Sequence, residues 1–154
     1  FEEGNEKNKK RILQLINKTN QMNLTTRRIS ETILDKLIND KSCYLFSCKV
    51  DDKFGDMGLV GVLSFKLLSD KIEVIDFILS CRAFGRSIEK SMLLKIIDIF
   101  KKKNVEKIIF KYLKTQKNKP CLDFLKNNLE KEKNNIFTYR KNTKFSAPKF
   151  LKII

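Results

Sequence analysis

The sequence predicts an α/β domain with a mixed sheet and flanking helices. Three observations predict it. Ile72 to Asn104 passes from an apolar run rich in β-branched residues, Ile72–Cys81, through a short loop into an amphipathic helix. A second alternating run, Val105–Leu113, follows that helix, so the two strands should lie parallel across a right-handed crossover. Upstream, Cys43–Val50 and Leu59–Leu68 flank Asp51–Gly58, a stretch with two Gly and three Asp, which reads as a hairpin loop.

Taken in order, residues 5–16 suit a helix with Ile12, Leu13 and Ile16 on one side. Asn, Gln and Thr crowd the segment from Gln14 to Arg28. These side chains hydrogen-bond locally and weaken helices, so a loop and then a short strand over Asn23–Arg28 are expected. Ser30 should cap a helix over Glu31–Asn39, with Ile33, Leu34, Leu37 and Ile38 inward. Ser69-Asp70-Lys71 turns the chain into the central strand. The helix after that strand carries Ile88, Met92, Ile96 and Ile99 on one stripe. Pro120 opens a helix to about Asn128. Leu129–Asn135 reads as an exposed loop, and Ile136–Tyr139 and Phe150–Ile154 as closing strands, with Pro148 between them. No internal repeat is visible. Residues 1–21 are read as a helix and linker leading from a preceding domain, and 22–154 as the domain itself; Phe1-Glu2-Glu3 looks like a fragment boundary.

The loop Arg82-Ala83-Phe84-Gly85-Arg86-Ser87 places cations and one Gly before a helix start, where unpaired N–H groups suit an anion, usually a phosphate. Ser87 is an N-cap candidate and Glu89 falls in the first turn. The same order of elements also describes an ordinary crossover whose Gly serves only the backbone.

The net charge of +15 is skewed. Residues 1–100 hold 17 basic and 14 acidic residues, whereas 101–154 hold 16 and 4. Such a balance admits an acidic protein partner, an anionic cofactor or nucleic acid, or a solvated lysine face. Phe110, Tyr112, Phe124, Phe137, Tyr139, Phe145 and Phe150 interleave with Lys there, as stacking platforms or as core. Core positions explain them better, so nucleic acid is not the expected partner. No apolar run approaches the ~20 residues of a membrane span, no signal peptide is visible, and a cytoplasmic location is expected. The chain has no His, and its four Cys (Cys43, Cys48, Cys81, Cys121) form no CxxC pair. That excludes His-dependent triads within this chain and gives no zinc-ligand spacing, so no metal is expected. The cysteines are read as reduced, mostly buried thiols.

Gln14–Arg28 resembles the segment that opens the C-terminal domain of FkbH-like proteins, and Phe54–Val62 and Ser80–Arg86 resemble its next landmarks. The likeness runs to Lys117-Asn118. It implies a GCN5-related N-acetyltransferase-like mixed sheet with flanking helices. In that family an N-terminal haloacid-dehalogenase-type domain moves a glyceryl or related acyl group onto an acyl carrier protein. The resemblance implies an acyltransferase-like domain that binds coenzyme A, acyl-CoA or a phosphopantetheine thioester. The cofactor contacts it implies are Leu79, Cys81, Arg82, Gly85, Arg86, Ser87, Ile88 and Asn118. Asn20, Asn23, Thr25 and Arg27 are expected at the substrate. Arg82 and Gly85 match the superfamily loop pattern, while Ser87 stands at its last small position. Leu125 stands where the family's Tyr acid is usual, and leucine cannot donate a proton. Asp76, Tyr112 and Cys81 remain catalytic candidates, each also readable as structural. A non-catalytic docking module for a carrier protein or for the dehalogenase-type domain is the alternative.

Overall fold

The structure, a computed structural model, describes residues 1–52 and 55–146. The elements are β1 (Glu2–Glu3), α1 (Glu6–Lys18), β2 (Met22–Asn23), α2 (Glu31–Asn39), β3 (Cys43–Asp52), β4 (Gly55–Leu67), β5 (Lys71–Leu79), α3 (Ile88–Lys103), β6 (Lys107–Lys111), α4 (Lys119–Asn128), β7 (Glu130–Lys131) and β8 (Ile136–Arg140). The expected strand Phe150–Ile154, Pro148 and Phe54 lie outside the described residues.

Among those residues the strands form one sheet in the order β1-β3-β4-β5-β6-β8-β7, with β2 added to β5. The expected parallel pair is present: Lys71 to Val74 of β5 run beside Lys107 to Phe110 of β6. All other pairs are antiparallel.

Side-chain alternation along the strands divides the core in two. Ile78, Val62 and Leu45 pack with Ile12, Leu15 and Ile16 of α1 and Leu34 of α2. Phe77, Leu79 and Leu63 face the other way, into a larger cluster with Met92 and Ile96 of α3 and Phe124 and Leu125 of α4. Phe77 stacks on Phe124 at 5.5 Å and meets Phe110 edge-on at 5.8 Å, geometries that favour the ring quadrupoles. Gly61 lets α3 lie close, since a Cβ there would stand 3.1 Å from the Met92 sulfur. α1 and β1 are built into this fold: β1 pairs with β3, and Ile12 and Ile16 are fully buried. Lys9 of α1 also reaches Glu31 (3.0 Å) and Asp35 (2.5 Å) on α2, which raises its pKa.

Several elements differ from expectation. The strand expected over Asn23–Arg28 is only Met22–Asn23. Asn23 Oδ1 accepts the N–H of Thr25 and of Thr26, and Thr26 turns left-handed (φ 53°), which ends the strand. α2 is capped by Ser30 as expected, yet Ile33 is 42% exposed rather than inward. The central strand stops at Leu79, and Cys81–Ala83 form a 3₁₀ turn, so Cys81 is exposed rather than strand-buried. Ser87 sits left-handed (φ 60°) ahead of α3 and makes no side-chain cap. Leu129 is buried, and Glu130–Lys131 pair with β8 where a loop was expected. The aromatics Phe110, Tyr112, Phe124, Phe137 and Tyr139 are core, and Phe145 packs against it.

Candidate functional site

The site lies where β5 and β6 part. Their last parallel pair is Val74 with Phe110. On the other edge of β5 the register with β4 shifts between Ser64 and Phe65, leaving Ile75 as the extra residue. A bulge bends and twists its strand, and this one lies directly beyond the point where the parallel pairing with β6 ends.

β2 occupies the gap so opened. Met22 and Asn23 pair with Leu79 and Ile78, and Leu24 O accepts from Leu113 N just beyond β6 (3.1 Å). Met22 and Leu24 are buried in the α3–α4 cluster. The edge of Leu79, an expected cofactor contact, is therefore already paired within the chain.

Asn118 holds this insertion. Its Nδ2 donates to Asn23 O (3.1 Å) and Leu113 O (2.9 Å), and its Oδ1 accepts from Tyr112 Oη (2.6 Å) and Thr115 N (2.8 Å). Both amide protons and both carbonyl lone pairs are spent. The side chain is fully buried, so a cofactor contact by Asn118 would need one of these bonds to break.

The acid–base candidates are similarly committed. Asp76, 1% exposed, receives Arg27 Nε at 2.8 Å and Nη2 at 2.6 Å, and Ser64 Oγ at 2.5 Å. The bond to Asp76 raises the Arg27 pKa further. One catalytic candidate and one substrate candidate thus form a structural pair. Tyr112 gives its proton to Asn118, and burial pushes its pKa up. Thr25 Oγ1 accepts weakly from Arg27 N.

Two clefts lie nearby, one beside α3 and α4 and one beside α1. The first, about 490 Å³, lies between the start of α3 and α4 and is lined by Phe84, Glu89, Lys90, Asp123 and Phe124 among others. It adjoins the Arg82–Ser87 loop. Gly85 there has φ 79°, and a Cβ built on it would meet nothing within 4 Å. The face above Gly85 is open, and with Ser87 making no cap the first N–H groups of α3 are available to an outside acceptor. That geometry fits a phosphate group. The second cleft, about 400 Å³, lies on the α1 side and is lined by Arg11, Lys18, Asn20, Cys81 and Lys117 among others. Among the expected substrate residues only Asn20 lines it. Arg11, Lys18 and Lys117 were not singled out as site residues, and no local sequence signal sets them apart from the other basic residues. Among the described residues no cluster of metal-ligating side chains is present, and no helix is long and apolar enough to cross a membrane.

No family model and no curated protein matches this chain. Solved structures do resemble it. A domain from Methanocaldococcus jannaschii superposes with a TM-score of 0.67 at 10% identity, over 90% of this chain and 96% of that one. A GNAT-family acetyltransferase from Staphylococcus aureus gives 0.64 at 15% identity, over 90% and 96%. The PaiA N-acetyltransferase of Thermoplasma acidophilum, in complex with coenzyme A, gives 0.58 at 16%, over 86% and 91%. The fold is that of the GCN5-related N-acetyltransferases, as the resemblance in sequence implied.

Proposed function

We propose that this chain is an acyltransferase-like domain that binds coenzyme A or a phosphopantetheine thioester. The finer reading is the FkbH-like one: the domain works in acyl or glyceryl transfer to an acyl carrier protein, beside a haloacid-dehalogenase-type domain. The observation that carries the first statement is the open face at Gly85 beside an uncapped helix start, next to the parting strands.

In this reading the backbone N–H groups of Ile88 and Glu89 hold the pyrophosphate, and Arg82 and Arg86 add charge. Charge-assisted hydrogen bonds of this kind contribute about 1.5–3 kcal/mol each. The arm then lies in the α3–α4 cleft, along Phe84 and Phe124. Its amides are neutral, so Glu89 and Asp123 in that cleft do not oppose it. The bound cofactor supplies the acyl thioester; the protein supplies position and an apolar wall of Phe84, Pro120 and Phe124. With Leu125 fully buried at the position of the usual acid, proton delivery to the leaving thiolate falls to another group or to water.

Calorimetric titration of coenzyme A tests the reading. Wild type should bind, and Arg82→Gln should bind several-fold more weakly with unchanged circular dichroism. Because Gly85 is left-handed, Gly85→Val would strain the backbone as well as crowd the ligand, so Gly85→Ala compared with Gly85→Asn is the better pair. Asn accepts the left-handed conformation, yet either side chain obstructs the phosphate. Equal loss of affinity in both supports the cradle. No binding of coenzyme A by any form at millimolar ligand refutes it.

A further inference from the structure

The α1-side cleft has a chemistry of its own. Three cations, Arg11, Lys18 and Lys117, line it, and no carboxylate does. A minority of the described cations meet acids, among them Lys9 with Glu31 and Asp35, Lys49 with Asp56, Lys111 with Glu73 and Arg140 with Glu132. Lys18 and Lys117 have no such partner among the described residues.

The neutral groups point the same way. Gln14 gives its carbonyl oxygen to Arg11 and Asn20 gives its own to Arg28, so what each amide can still offer is chiefly N–H. The end of α1 would ordinarily present bare carbonyls here. Two of them are covered, Leu15 O by Thr19 N and Ile16 O by Arg28 Nη1, and just beyond the helix Thr19 O accepts from Asn23 Nδ2. Several acceptors at this end of the cleft are thus engaged, while the cations and the amide N–H groups remain as donors. Arg11 is also fixed in direction, its Nε donating to Leu59 O at 3.2 Å. The cleft ends on Ser80 and exposed Cys81, at the end of β5 and on the opposite side of the sheet from α3 and α4.

We propose that this cleft binds the oxyanion, carboxylate or phosphate, of the acyl acceptor. The domain's second substrate is then a small acid rather than an amine. An ammonium group would meet three like charges and no acid to receive it. This inference rests on the acyltransferase reading for the word acceptor, but the anion site itself does not.

Amide chemical shifts of the ¹⁵N-labelled chain test it, with inorganic phosphate, lactate and spermidine as separate probes at fixed ionic strength. Phosphate or lactate should shift residues 18–21, 80–81 and 117 saturably, and spermidine should not. Phosphate alone assigns a phosphorylated acceptor, and lactate a carboxylic one. The double variant Lys18→Gln/Lys117→Gln should weaken that binding between about two- and thirtyfold, the range two partly exposed ion pairs span. Its affinity for coenzyme A by calorimetry should be unchanged. Shifts spread evenly over all lysines, shifts that survive the double variant, or spermidine shifting the same signals overturn the proposal. So does an equal loss of coenzyme A and phosphate binding, which assigns the cleft to the cofactor's own phosphates. Anion binding without any coenzyme A binding leaves the oxyanion site standing and refutes the acyltransferase reading instead.

Discussion

Arg27→Met should destabilise this protein strongly, and Asp76→Asn added to it should restore part of the loss. Asp76 is 1% exposed and accepts three hydrogen bonds, two of them from Arg27. Removing one partner of a fully buried pair costs about 3–5 kcal/mol, mostly because the other charge is stranded. Arg27 keeps 29% of its side chain in solvent, so water can reach the vacated place and soften that cost. About 2–4 kcal/mol is the expected loss, a large share of the 5–15 kcal/mol that holds a typical domain. At roughly 2–4 °C per kcal/mol for a chain of this size, Tm falls by roughly 5–15 °C. Urea unfolding followed by circular dichroism measures it, with equal m-values as the control for two-state behaviour. In the double variant the stranded charge is gone and Ser64 can still bond the amide. The cycle should show coupling of at least about 1.5 kcal/mol, with the double variant more stable than Arg27→Met alone. Strict additivity, or a loss under about 0.5 kcal/mol in Arg27→Met, would refute the account of Arg27 and Asp76 as one structural unit.

Four further outcomes are expected. Asn118→Ala strands Asn23 O and Leu113 O and should cost about 2–4 kcal/mol in urea melts, more than a surface contact to a ligand would; a cost near zero would mean the insertion of β2 does not depend on it. Iodoacetamide at pH 8 should modify exposed Cys81 first, whereas burial pushes the thiols of Cys48 to about 11 and Cys121 to about 12, so peptide mass mapping should find both unmodified until urea is added. Asp40 is held down to about 2, first by the Ser42 hydroxyl, then by the Ser42 N–H and the Cys43 thiol. A depressed carboxylate stabilises above its unfolded value of 3.8 and loses that contribution as pH falls towards 2, so wild type should lose stability over that window more steeply than Asp40→Asn. Reversal of the exposed Lys101, Lys102 and Lys103 to Glu should slow association with an acyl carrier protein and flatten its salt dependence; unchanged rates at low salt would leave these lysines to solubility alone.

Periodicity made the sheet legible. The pairing of β5 with β6, the hairpin of β3 and β4 and the stripe on α3 depend on local alternation, which survives folding as a burial pattern. The ends of elements were less visible. Cys81 continues an apolar run in sequence, yet the strand stops at Leu79: after Ser80 N bonds Val60 O the chain coils into a 3₁₀ turn, with Ala83 N bonding Ser80 O. The site was legible as a set of residues but not as their roles. Asn23, Arg27, Asp76, Tyr112 and Asn118 stand out by their types; only their partners reveal that they satisfy one another. Those partners lie up to 95 residues away in sequence, between Asn118 and Asn23, and no spacing rule joins such positions. Arg11, Lys18 and Lys117 were hidden for the opposite reason: in a chain with 33 basic residues, a cation announces nothing until its neighbours are known.

The bend that parts β5 from β6 would by itself leave a row of unpaired main-chain groups along the end of the sheet's central strand. Such an edge invites a strand from another molecule. Met22 and Asn23 cover it from within, so the protein carries its own guard against strand exchange and fibre growth. A variant that frees this segment should therefore reveal itself first as a loss of colloidal stability, with concentration-dependent light scattering under conditions where the secondary structure is still intact.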